Sequence, residues 1–255
     1  MDVRTVKAMR YVTPLREGGS LPAIDEGDDY GLYVLKFRGA GQGVKALIAE
    51  LLAGEIGRAL GLKVPEIVMV ELDARLARTE PDPEIQELIK ASVGLNLALD
   101  YLPGSIMFDA LIQQPDAELA SRIVWFDAFT ANVDRTPRNA NMLLWHKEIW
   151  LIDHGAAFFY QHNRNGFLDN AQNPFRQIKD HILLGFASEI EKADKELTVK
   201  LTPEILREIV EFVPEDWFDE ADEQRTVYLE FLTNRLAGAR EFVKEAIDAR
   251  AALHV

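Results

Sequence analysis

The chain has 255 residues, no cysteine, and 42 acidic side chains against 28 lysines and arginines, a formal net charge of −14. That length suits one large domain or two small lobes sharing a cleft, and 48% apolar residues supply a sizeable core, so a disordered chain is excluded. Disulfides and thiolate metal sites are excluded too, in keeping with a reducing compartment, and the acidic field makes nucleic acid a poor partner.

No apolar run reaches the roughly 18 residues a membrane span needs, and the first residues lack the apolar stretch of a secretion signal. The expectation is a soluble cytoplasmic protein without a membrane partner.

The first part of the chain reads as strand-rich. After a polar turn at Asp25–Asp29, Tyr30–Phe37 (YGLYVLKF) is aromatic and β-branched, which predicts a strand. Leu32, Val34 and Lys36 share one of its faces, so the Lys36 ammonium needs a partner or a cleft. Val44, Leu47, Ile48, Leu51, Leu52, Ile56, Ala59 and Leu60 fit a helical period, with Gly61 as a stop. Glu66–Leu72 and Ala91–Leu102 predict two more strands, the second ending at Pro103-Gly104. From there the chain reads as helical. Asp116 caps a predicted helix running to about Ala131, and Thr202-Pro203 starts another. A long amphipathic pattern runs from about Ala221 to the end. Strands first and helices second predict an α+β fold of two lobes, 1–102 and 103–255, with a ligand cleft between them.

The chemistry concentrates between Asn132 and Gly155, NVDRTPRNANMLLWHKEIWLIDHG. Two short apolar runs separated by His146–Glu148 predict a β-hairpin. A three-residue loop would pair Trp145 with Ile149 and, counting outward, Asn141 with Asp153, with Cα atoms about 4.5–5.5 Å apart. Asp134 lies five residues before Asn139, in a loop that Pro137 keeps from becoming helix interior. Two carboxylates and an amide oxygen suit Mg²⁺, or one carboxylate stays off the metal and accepts a proton from a hydroxyl. His154 and His162 stand near Asp153 without a metal-ligand spacing, which favours ordinary polar contacts.

The order Asp-x-x-x-x-Asn, hairpin, Asp resembles the catalytic and metal loops of the protein-kinase-like superfamily. With YVLKF, AELLAGEIGRALGLKVPE, FDAFTANVDRTPRNANML and LIDHG, the chain more specifically resembles the HipA-like kinases from about Gly18 to Asp153. The resemblance implies a two-lobed protein-kinase-like fold, ATP and Mg²⁺ as cofactors, and phosphoryl transfer to a hydroxyl. It implies Asp134 as catalytic base, Asn139 and Asp153 as metal ligands, and Lys36 at the α- and β-phosphates. Glu50 matches the glutamate that pairs with this lysine, with Glu55 as the alternative. Adenine would meet backbone near Asp100 and Leu102, and Gly18, Gly19 and Ser20 would form a phosphate loop. Arg38–Gly43 is a second phosphate-near loop or a connector.

The resemblance favours a protein serine or threonine as acceptor; a small molecule or a lipid head group fits the same loop. A nucleotide-binding module without catalysis and a metal hydrolase built on Asp153 and the histidines are the rival classes. It also implies autophosphorylation of Ser20 as an off-switch. Two departures stand out. Asn132 occupies the place of the eukaryotic loop histidine, and His154 follows Asp153 where phenylalanine is usual. The extra N-terminal domain of longer HipA toxins has no room here, so an antitoxin-like partner is not implied. His154–Pro174 contains no serine or threonine, which excludes Ser/Thr phosphorylation there.

Overall fold

The computed structural model describes residues 2–15, 21–41, 43–78, 80–162, 166–238 and 240–253. Gly18, Gly19 and Ser20 lie outside the described residues.

Strands β1 (Thr5–Pro14), β2 (Ala23–Gly27), β3 (Leu32–Lys36), β4 (Ile67–Leu72) and β5 (Gly94–Asp100) close into a barrel in the order β1-β2-β3-β5-β4. Four pairings are antiparallel, and β1 runs parallel to β4 to complete the ring. Period-two alternation decides which side chains enter it. Tyr33, Leu35 and Phe37 join Val6, Ala8, Ala23, Val68, Val70, Leu72 and Ala98 inside, and Leu32, Val34 and Lys36 take the other face. The expected turn at Asp25–Asp29 is therefore shorter than its composition suggests. Asp25 belongs to β2, opposite Tyr33 and Tyr11, because Ala23, Asp25 and Gly27 form the inward set of that strand.

Helix α1 (Val44–Ala59) is buried around nearly its whole circumference from Leu47 to Gly57. Such a helix needs small residues where neighbours press close. A Cβ at Gly54 would collide with Ile67 of β4, and one at Gly57 would meet Val64 and Phe126. Gly61, at φ 78°, ends the helix as expected. One apolar core runs from α1 and the outer face of β4 and β5 into the helical half. Helix α2 (Pro83–Ala91) is capped by Asp82. Its Asp-Pro start is a helix signal of the same kind as Thr202-Pro203.

Helix α3 (Ala117–Thr130) starts on Asp116, whose carboxylate accepts Leu119 N–H at 2.7 Å. It ends on Ala131 in the left-handed region at φ 52°. Among the described residues the α-helices α4 (Ile190–Thr198), α5 (Pro203–Glu211), α6 (Ala221–Ala237) and α7 (Glu241–Ala252) follow. Thr202 caps α5. The single C-terminal pattern is two helices, since Arg240 at φ 49° turns the chain between them. Arg235, fully buried, donates to the carbonyls of Ala128, Phe129, Ala171 and Asn173. It thereby satisfies two of the C-terminal carbonyls of α3, where a cation also meets the helix dipole favourably.

The hairpin forms between β7 (Met142–Trp145) and β8 (Glu148–Leu151), with β6 (Ile106–Met107) on its other edge. Its register differs from the expected one by one residue. Trp145 pairs with Glu148 and Leu144 with Ile149, so the loop is the two residues His146-Lys147. Both have positive φ, 50° and 66°, the twist that suits tight hairpins even without Asn-Gly. Asn141 consequently faces Ile152, whose N–H reaches its carbonyl at 3.1 Å.

Candidate active site

The strand face of β3 and the inner side of α1 bring Lys36 and Glu50 together. Lys36 Nζ lies 2.6 Å from Glu50 Oε2 and 2.6 Å from Asp153 Oδ1. Glu50 is fully buried, the Lys36 side chain is 12% exposed, and that of Asp153 is 45% exposed. The triad thus runs from the core at Glu50 to solvent at Asp153. Burial works against both buried charges. The Lys36 ammonium still stays above its ordinary pKa because Glu50 and Asp153 oppose that penalty. Burial likewise pushes the Glu50 carboxyl up, but Lys36 and the His154 contact outweigh it and hold the carboxyl low. Of the two glutamates on α1, Glu55 pairs instead with Arg58 at 3.2 Å.

His154 is buried with Nδ1 3.3 Å from Glu50 Oε1. It stacks edge-on against Phe126 at 5.7 Å. The residue that replaces the usual phenylalanine therefore keeps an aromatic contact and adds a polar one to Glu50. Among the described residues, no group of three or more His, Asp or Glu side chains is arranged to hold a metal.

Asp134 and Asn139 meet across the loop, with Asn139 Nδ2 donating to Asp134 Oδ2 at 2.8 Å. The tie to Asp153 comes from Asn141. Its Nδ2 lies 3.1 Å from Asp134 O, 3.3 Å from Asp134 Oδ2 and 3.5 Å from Asp153 O. Asn141 was visible in the sequence only as a hairpin residue. Its role depends on φ 47°, which turns the amide back over the loop. Asp153 sits at φ 56°, also left-handed and also non-glycine, a strain that gathers at functional sites. Burial raises the Asp134 carboxyl, as does the Asp153 charge, against the lowering effect of the Asn141 and Asn139 amides.

Asp100 closes β5, and buried Leu102 follows where the barrel gives way to the helical part. The helical part is also tied back to the barrel. Arg38 pairs with Asp216 at 2.9 Å, and Trp217 Nε1 donates to Leu95 O at 3.2 Å. Of Arg38–Gly43, Gly41 and Gly43 adopt positive φ just before α1.

The donor set fits a hard cation. Asp153 offers a second carboxylate oxygen beyond the one Lys36 engages, and Asn139 offers its amide oxygen while its nitrogen holds Asp134. Such a sparse protein set suits Mg²⁺, which keeps water and phosphate oxygens as its other ligands.

The family model of HipA-like kinases matches residues 9–243. The chain belongs to the HipA-like kinase family. Among solved structures, this HipA-like kinase is similar to the Helicobacter pylori proinflammatory kinase CtkA, at TM-score 0.60 and 14% identity, with 100% of each chain covered. It is also similar to the Golgi casein kinase, at TM-score 0.51 and 11% identity over 99% of this chain and 73% of that one. The same kinase with Mn/ADP bound matches at TM-score 0.52 and 11% identity, covering 99% and 75%. No curated protein matches the chain. The fold is the two-lobed, protein-kinase-like α+β fold, strand-rich first and helical second. No helix among the described residues is long and apolar enough to cross a membrane.

Proposed function

We propose that the chain is an ATP- and Mg²⁺-dependent phosphotransferase acting on an alcohol hydroxyl, with a protein serine or threonine as the favoured acceptor. The supporting observation is the convergence of Lys36, Glu50 and Asp153 at 2.6 Å contacts on the border of the two lobes. In this reading the lobes divide at Leu102–Pro103, and adenine lies against the backbone of Asp100 and Leu102. Lys36, steadied by Glu50, meets the α- and β-phosphates in exchange for its contact with Asp153. Asn139 and Asp153 hold Mg²⁺, which when bound offsets charge on the transferring phosphoryl group. Asp134 accepts the hydrogen bond of the acceptor hydroxyl and takes its proton as the new O–P bond forms and the bond from the γ-phosphorus to the β–γ bridging oxygen breaks, releasing ADP. Its raised carboxyl pKa makes it a better proton acceptor than an exposed aspartate. Gly18, Gly19 and Ser20 remain the proposed phosphate loop between β1 and β2.

Incubation with labelled ATP and a cell lysate tests this. Wild type should label an acceptor only with divalent metal present. Asp134→Asn should bind nucleotide nearly as wild type and transfer nothing. Full turnover by Asp134→Asn would refute Asp134 as the base.

A further inference from the structure

Beneath the loop that carries Asp134, one carboxylate is wholly buried and gathers three donors. Asp127, near the end of α3, is 0% exposed. Its Oδ1 accepts Asn132 Nδ2 at 2.9 Å. Its Oδ2 accepts Arg135 Nε at 2.6 Å and faces His181 Nε2 at 2.9 Å. His181 Nδ1 accepts Leu183 N–H at 3.0 Å, which leaves the ring proton on Nε2, pointed at Asp127. Asn132 and Arg135 bracket Asp134, and Asn132 Oδ1 in turn accepts Asp134 N–H at 3.2 Å.

The path continues to Asp134 and Asp153. Arg135, 1% exposed, donates through Nη1 to the Asn141 carbonyl. Asn141 Nδ2 then reaches Asp134 and the Asp153 carbonyl. Direct hydrogen bonds therefore lead from Asp127 through Arg135 and Asn141 to both acids. A buried ion pair adds little stability over apolar residues of equal volume. Left-handed non-glycine residues, here Ala131, Asn141 and Asp153, persist only where their surroundings over-determine them. An anchor that fixes position accounts for both facts.

We propose that Asp127 is a positioning residue. Acting through Arg135 and Asn141, it sets the placement of Asp134 relative to Asp153. The inference rests on the roles given to those two acids under Proposed function.

The test separates position from stability. Asp127→Asn alone leaves Arg135 buried beside a neutral partner and lowers Tm. Asp127→Asn/Arg135→Met removes both charges and returns Tm toward wild type. The proposal expects the double variant to keep its KM for ATP within about threefold, while kcat falls about 10- to 100-fold. Hydrogen exchange at amides 132–141 should quicken about tenfold or more. Recovery of Tm together with wild-type kcat and exchange would overturn it.

If the double variant does not fold, Arg135→Lys serves. It keeps a cation beside Asp127 but cannot also span to Asn141, since a lysine lacks the guanidinium fork. A near-normal Tm with reduced kcat and faster exchange supports the proposal; unchanged kcat and exchange overturn it. Should wild type transfer no phosphoryl group at all, the functional reading fails and the exchange comparison alone decides the anchor.

Discussion

Glu50→Gln keeps the shape of the buried side chain and removes its charge. Fully orphaning a buried ion costs about 3–5 kcal/mol. Lys36 is not orphaned, because Asp153 remains at 2.6 Å on the solvent side. The expected loss is therefore smaller, about 1–3 kcal/mol on that scale. At about 2–4 °C per kcal/mol for a chain of this size, Tm should fall about 2–12 °C at pH 7. The pH dependence has a definite sign. Lys36 holds the Glu50 carboxyl below its unfolded value. Its contribution is present above about pH 4.3, the ordinary glutamate value, and is lost as pH falls toward the lower folded value. Calorimetry should thus show the gap between wild type and variant narrowing from pH 5 to pH 3. A variant with wild-type Tm at pH 7, or a gap that ignores acidification, would refute the reasoning.

Asp25 is 1% exposed, neither carboxylate oxygen has a hydrogen-bond partner, and burial raises its pKa to about 7. The neutral form suits the fold, so stability is present below the unfolded value near pH 3.9 and lost as pH rises through about 7. Asp25→Asn should therefore raise Tm most at pH 8, less at pH 5 and least near pH 3.5, and the same change at all three pH values would contradict this. Gly54→Ala should cost about 1–3 kcal/mol by forcing α1 off Ile67, read as a lower denaturation midpoint. Arg235→Lys should cost about 3 kcal/mol or more, because one ammonium cannot serve four carbonyls set around a guanidinium. A Tm loss under about 2 °C would remove Arg235 from its place as the α3 anchor.

Much of this was legible where local chemistry decides local structure. The alternation in Tyr30–Phe37 put Lys36 on the face of Leu32 and Val34; β3 keeps that parity, and the fold turns that face away from the barrel interior. Asp116 and Thr202-Pro203 started helices because their side chains accept the first free N–H groups. The hairpin was readable, its register was not. A His-Lys turn advertises nothing, yet both residues adopt left-handed φ. Asn141 lay beyond pattern reading because its backbone conformation, not its position, aims the amide. Asp127 sits in an apolar helical stretch, and its partners Asn132, the folded-back Arg135 and distant His181 reveal it. The barrel closure through a parallel β1–β4 pair joins strands some sixty residues apart, with no local signal.

The central claim is that Lys36 and Asp153 border one nucleotide site. A crystal structure with Mg²⁺ and a non-hydrolysable ATP analogue tests it most directly. The account predicts phosphates lodged between Lys36 and Asp153, with their 2.6 Å contact opened and Lys36–Glu50 retained. Nucleotide bound on another surface, with that contact still closed, would contradict it.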